Sequence, residues 1–226
     1  MTFRPPSRLL RLAIALLGFA SALAVGADES VTVKALCFPR PEHDATLELF
    51  SDKDEVIKIP LQSHEFTLPI QVPRLAEWRF GKSGTGPEGE FTFKTQCRVK
   101  PLPTKQQLLL FIRKGTKDDA FEVFPLNPGK IPARNYAILN LTAGPITGVV
   151  GGEKLRLPPG RRAIVAPKAD RGKDLCFASF HYQRNDQWRP FFSSNWRLRP
   201  NARVLVILYQ STGQRAPRLH TVIDPL

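Results

Sequence analysis

The side chains best suited to binding chemistry lie in one stretch, WRPFFSSNWRLRPNAR, at residues 188–203. It combines tryptophan and phenylalanine with repeated arginines. An arginine guanidinium is a planar fork that bonds carboxylates and phosphates in pairs. The aromatic rings either fill a protein core or form a stacking surface. Which of these applies depends on the direction in which each side chain points.

Alternation along a β-strand separates the two kinds of side chain. Successive residues of a strand point to opposite faces. Four large apolar residues fall on even positions and are predicted to face the core: Trp188, Phe192, Trp196 and Leu198. The odd positions are polar, apart from Phe191, and are predicted to face solvent: Arg189, Asn195, Arg197 and Arg199. A bulge at Pro190 or at Ser193-Ser194 would break this register.

The arginine face is the candidate anion-binding site. It comprises Arg189, Arg197 and Arg199, joined by Arg161 and Arg162 from a preceding Pro-Gly turn. The predicted partner is an acidic polysaccharide, an envelope surface or an acidic protein. A basic surface without a specific site is the alternative, because charge alone supports only non-specific association. Nucleic acid is not predicted, because the aromatic rings fall on the wrong face for base stacking.

After residue 27, the excess positive charge lies entirely in the second half of the chain. Residues 28–131 hold 15 Lys+Arg and 15 Asp+Glu, whereas residues 132–226 hold 15 Lys+Arg and 5 Asp+Glu. The second half therefore carries a net charge of +10, and it is the better candidate for an acidic partner.

Motifs for catalysis, metals and cofactors are missing from the sequence. The four histidines are scattered, at His43, His64, His181 and His220, and the chain has no GxSxG motif. The segment AEWRFGKS (76–83) resembles a phosphate-binding loop, but Trp78 and Phe80 are too bulky for one and no helix follows. We therefore predict a non-enzymatic protein with no cofactor and no metal. The alternatives are an enzyme or accessory protein acting on an envelope polysaccharide in a cleft between domains, and a purely structural, self-associating protein.

The first 27 residues have the pattern of a signal peptide. Arg4, Arg8 and Arg11 precede an apolar run from Leu12 to Val25, and Val25-Gly26-Ala27 fits a cleavage site. That run is shorter than the ~20 residues that span a membrane, although a retained anchor is the alternative. The sequence predicts an exported protein of the periplasm or the extracellular space, without a transmembrane segment in the mature chain.

Three cysteines follow the leader. Export would place them where disulfides form, so Cys37 and Cys97 are a candidate disulfide and Cys176 is left over. The alternative is three small buried side chains in strands.

Short alternating or β-branched segments separated by turns predict an all-β protein. Segments such as FTFKTQCRV (91–99) and RVLVILYQ (203–210) recur every 8–12 residues. We predict two tandem antiparallel β-sandwich domains of the immunoglobulin-like kind, at residues 28–128 and 132–226, joined by the linker NPGKIPAR (127–134).

The two predicted domains also look like an internal duplication. Residues 102–126 match 199–226, and residues 47–73 match 138–167, in their order of strands and turns. One large sandwich with similar hairpins is the alternative, because β-alternation alone produces such matches.

The second half resembles a family of uncharacterised secreted bacterial β-sandwich proteins. The resemblance lies in ILNLTAGPITGVVGGEKLRLPPG (138–160) and WRPFFSSNWRLRPNARVLVILY (188–209). It implies export and β-architecture, and it implies no catalytic residues because the family has no assigned activity. The layout of two exported β-domains is also similar to that of periplasmic accessory proteins in exopolysaccharide acetylation, at the level of architecture only.

Overall fold

The computed structural model describes residues 30–40, 46–51, 55–114, 121–170, 174–211 and 213–226. The predicted signal peptide, residues 1–27, lies outside these residues. The described chain folds into sixteen strands and one short 3-10 helix, η1 (Pro128–Lys130). The first eight strands are β1 (Ser30–Phe38), β2 (Thr46–Phe50), β3 (Val56–Pro60), β4 (Ile70–Pro73), β5 (Trp78–Thr85), β6 (Phe91–Val99), β7 (Gln106–Arg113) and β8 (Phe121–Leu126). The second eight are β9 (Tyr136–Asn140), β10 (Ile146–Val150), β11 (Glu153–Leu157), β12 (Arg162–Val165), β13 (Leu175–Arg184), β14 (Gln187–Arg197), β15 (Ala202–Tyr209) and β16 (Arg218–Pro225).

Two tandem β-sandwich domains result, as the sequence predicts. In domain 1, sheet A has the order β4-β1-β7-β8 and sheet B has the order β3-β2-β5-β6. In domain 2, sheet C has the order β12-β9-β15-β16 and sheet D has the order β11-β10-β13-β14. Alternation explains the layers: in β10, Ile146, Gly148 and Val150 are buried while Thr147 and Val149 are half-buried.

Each domain repeats the same strand order, so the duplication extends to topology. The register supplies a second sign of it. On β6, Gln96 is an extra residue, because Phe80 pairs with Cys97 and Gly81 pairs with Thr95. On β14, Phe191 is extra in the same place, because Phe180 pairs with Phe192 and His181 with Pro190. A β-bulge at one equivalent position in both domains supports an internal duplication.

The strand order refines two details of the sequence predictions. The first and seventh strands of each domain pair in parallel, β1 with β7 and β9 with β15, so sheets A and C are not wholly antiparallel. The immunoglobulin-like description therefore holds for the sandwich architecture and not for this pairing. The match of 47–73 with 138–167 also begins one strand early, because β9 corresponds to β1 and β10 corresponds to β2.

A shared apolar core joins the two domains. The outer face of sheet A packs on the outer face of sheet C, where Leu36 and Leu110 meet Leu139 and Ile207. Ile131, from the predicted linker, is buried in the same core. A cavity at this interface measures only about 10 Å³, which is too small to hold a substrate.

Polar contacts reinforce this domain interface. The Nζ of Lys34 in domain 1 donates to Oδ1 of Asp224 in domain 2 over 2.8 Å. The Nε of Arg203 lies 3.3 Å from the other oxygen of Asp224, in ion-pair contact without hydrogen-bond geometry. Asp224 is only 2% exposed. A buried carboxylate thus lies between two cations from different domains, which ties the position of one domain to the other.

The predicted disulfide is not present in the structure. Cys37 and Cys97 are both buried in the core of domain 1, and both are free thiols, as is Cys176. Cys37 lies on β1, inside sheet A, whereas Cys97 lies on β6, an edge strand of sheet B that packs beside β8. The two cysteines are thus in different layers and about two strand spacings apart, roughly 10 Å sideways. A disulfide requires a much closer approach.

Burial should make these thiols unreactive in the folded protein. Desolvation raises the pKa of Cys37 and of Cys97 to about 12, and Arg113 only partly offsets the effect at Cys37. Because the thiolate is the reactive form, we expect no labelling by a disulfide reagent at pH 8 until the protein unfolds. Titration in guanidinium chloride should then count all three thiols. A count of one thiol would show that two cysteines are bonded.

Candidate functional site

Two of the five predicted arginines line a groove at one end of domain 2. The groove has a volume of about 460 Å³, within the range of ligand sites. It forms where β14 turns into β15 beside the end of β16. We call it the arginine groove, and its lining is Asp174, Arg197, Leu198, Arg199, Pro200, Asn201, Ala202, Ile223 and Pro225.

Hydrogen bonds to the backbone hold the arginine groove in shape. The hydroxyl of Tyr136 donates to the carbonyl of Arg197 over 3.0 Å. The backbone amide of the buried Leu198 donates to the backbone carbonyl of Asp174 over 2.9 Å, and the amide of Leu226 donates to the backbone carbonyl of Asn201 over 3.1 Å. The turn is thus fastened from three directions, while the side chains of Arg197 and Arg199 stay exposed. A fixed backbone with free guanidiniums reduces the ordering cost of binding.

The charge of the arginine groove is positive. Among the described residues, neither Arg197 nor Arg199 has an ion-pair partner. Asp174 is the one acid in the lining, and the guanidinium of Arg134 lies 3.9 Å from it. Burial, with a smaller contribution from Cys176, raises the pKa of Tyr136 to about 12 although Arg199 lowers it, so its hydroxyl stays protonated at neutral pH. The groove is therefore suited to an anion.

The other three arginines lie elsewhere, so the five do not form one patch. Arg189 pairs with Tyr182 near the opposite end of β14, roughly 25 Å from Arg197 by strand rise. Arg161 and Arg162 lie at β12, which borders β11, whereas Arg197 lies on β14 at the other edge of the sandwich. The guanidinium of Arg162 donates to the carbonyl of Pro125 over 3.2 Å, which is a contact between domains. The prediction of one continuous patch was wrong because alternation within a strand does not show how edges are arranged.

The bulge at Phe191 also changes which side chains face the core. Beyond it, Phe192, Trp196 and Leu198 face inward as predicted; the ring of Trp196 lies 4.9 Å from that of Tyr136. Before it the parity is reversed. Trp188 pairs with Gln183 on the outer face and is 40% exposed, and Arg189 pairs with Tyr182 on the inner side. The predicted inward position of Trp188 was therefore wrong, because a bulge adds one residue. Arg189 also changes sides in the register, but its side chain is still exposed, as predicted.

The comparisons with known proteins bring no relative to bear on this site. The chain matches no family model, and no curated protein is similar to it. The resemblance to secreted bacterial β-sandwich proteins therefore stays a prediction. Function must be argued from geometry.

A metal site, a phosphate-binding loop and a membrane-spanning helix have no support in the described part of the chain. No three His, Cys, Asp or Glu side chains come together there as a metal site would require. The segment that resembles a phosphate-binding loop lies in strand β5, paired with β6, which confirms its rejection. Within the same residues, no helix has the length and hydropathy needed to cross a membrane.

Proposed function

We propose that this is an exported, non-enzymatic protein whose second domain binds an acidic partner at the arginine groove. Arg197 and Arg199 present free guanidiniums from a turn whose backbone is already fixed. The observation that most supports this proposal is the pair of exposed arginines in a groove of ligand size. Guanidiniums so placed bond a carboxylate, phosphate or sulfate in pairs.

The distribution of charge supports the same assignment. Domain 1 is neutral, whereas residues 132–226 carry +10. A positive domain attracts an acidic polymer over several ångströms before contact, and the groove then selects it. The leader at residues 1–27 supports export, which would place the partner in the cell envelope or outside the cell. An acidic polysaccharide, an envelope surface and an acidic protein all fit this chemistry.

Chromatography of the purified protein on immobilised polymers tests the proposal. We expect retention on polygalacturonate or dextran sulfate and none on neutral dextran. Retention on at least one acidic polymer should persist at about 0.15 M salt, where exposed charges are screened beyond ~8 Å. Weak retention on every acidic resin that disappears as salt rises would contradict a specific groove and would leave only a basic surface.

A further inference from the structure

The outer face of sheet D is a second exposed surface that continues from the arginine groove. The inner face of this sheet is defined by buried residues such as Cys176, Ala178 and Phe180. Register places the intervening residues on the outer face. Its members are Thr147, Val149, Lys154, Arg156, Leu175, Phe177, Ser179, His181, Gln183, Trp188, Pro190, Ser193, Asn195 and Arg197. Arg197 thus belongs to both surfaces.

Two aromatic rings are exposed on this face. Phe177 is 46% exposed and Trp188 is 40% exposed. The guanidinium of Arg156 lies 6.0 Å from the ring of Trp188, at the outer limit of a cation–π contact. Gln183, the partner of Trp188, is six positions along β13 from Phe177, so the rings are about 20 Å apart along the sheet.

The equivalent face of domain 1 shows what is different about domain 2. By register, Phe93 corresponds to Trp188, Phe50 to Val149, and Arg79 to Ser179. In domain 1 the rings of Phe50 and Phe93 lie 5.1 Å apart, and Arg79 covers Phe50 at 4.2 Å. Those side chains cover one another. In domain 2 a valine and a serine replace two of them, which leaves Trp188 without an aromatic partner among the described residues.

The charge and polarity of the face indicate the kind of partner. Its cations are Lys154, Arg156 and Arg197, and its outward positions include no Asp or Glu. Hydroxyl and amide groups lie between the rings, and the aliphatic members of the face, Val149 and Leu175, are on different strands and do not form a continuous apolar patch. A protein–protein interface is built around a contiguous apolar core. Two rings spaced along a face of polar groups and cations fit a chain of sugar rings that carries carboxylates, because each sugar has an apolar face for stacking and hydroxyls for hydrogen bonds.

We infer that this face binds an extended carboxylated polysaccharide, with sugar rings stacked on Trp188 and Phe177. The inference rests on the proposed function, since the same chain continues into the arginine groove at Arg197. Arg156 bonds carboxylates beside Trp188, Ser193 bonds hydroxyls between the rings, and Asn195 bonds hydroxyls beside Phe177. Because the rings are about 20 Å apart, a ligand must span several sugars to contact both.

The test compares two polymers of similar charge, polygalacturonate and polyglutamate, by titration at about 0.15 M salt. Only the first has sugar rings. We expect the unsubstituted protein to bind polygalacturonate more tightly than polyglutamate. The double variant W188A/F177A should lose at least about tenfold in affinity for polygalacturonate, since each stacked ring contributes, and should bind polyglutamate unchanged. Leu68→Ala, at an 85% exposed residue of domain 1, is the control and should change neither.

Each other outcome overturns the inference in a different way. If W188A/F177A binds polygalacturonate as tightly as the unsubstituted protein does, the rings do not stack on the ligand, while the proposed function stands. If the unsubstituted protein binds both polymers equally, it recognises the negative charge of the partner and not its sugar rings, and an acidic protein would fit as well. If it binds neither, the proposed function fails as well. Equal melting temperatures of the variants would exclude a folding defect.

Discussion

Replacing Asp224 with alanine is expected to lower the free energy of unfolding by about 3 kcal/mol. The carboxylate is 2% exposed and forms ion-pair contacts with Lys34 from domain 1 and Arg203 from domain 2. Its removal leaves two cations facing each other at a domain interface, and an uncompensated buried charge is costly. Lys34 remains 27% exposed, which places the effect at the lower end of the range for buried pairs.

Urea denaturation measures this effect. The two domains share an apolar core, so one cooperative transition is expected for the whole protein. The matched control is Glu77→Ala, which removes an exposed ion pair with Arg98 and should cost less than about 1 kcal/mol. Two separate transitions, or equal costs for the two variants, would contradict a rigid interface held by Asp224.

The double variant R197E/R199E is expected to reduce affinity for a carboxylated polymer by about 100-fold. Two charge-assisted contacts are lost and two repulsive charges are introduced in the arginine groove. Both side chains are exposed, and the hydrogen bond at Arg197 uses its backbone carbonyl, so the melting temperature should change little.

The control for this variant must alter net charge equally. R215E/R218E does so at exposed arginines, and Arg218 lies at the far end of β16 from the groove residues Ile223 and Pro225. We expect this control to weaken binding only slightly at about 0.15 M salt, where screening limits distant charges. An equal loss in the two variants would mean that net charge, and not the groove, retains the polymer.

Strands and domains were predictable because local patterns determine them. The alternation of FTFKTQCRV predicted β6 to the residue, and the segment RVLVILYQ (203–210) predicted β15 with a shift of one residue. The signal of duplication was readable for the same reason, since each hairpin repeats its pattern of turns and strands.

The site was less predictable because it depends on arrangements between strands. One extra residue at Phe191 reverses the faces of Trp188 and Arg189, and the sequence around Pro190 indicated only that a break was possible. The edges on which Arg162 and Arg197 lie follow from strand order, which alternation does not specify. The available signal for domain packing was that β7 and the second half of β1 are apolar on both faces, which buries Leu36 and Leu110 on the second face of sheet A.

Hydrogen–deuterium exchange with and without polygalacturonate, at about 0.15 M salt, tests the central claim most directly. Binding at the arginine groove predicts slower exchange in the turn at residues 198–202 and in the end of β16, with no change in domain 1. Protection confined to domain 1, or spread evenly over the basic surface, would contradict a specific acidic-partner site in domain 2.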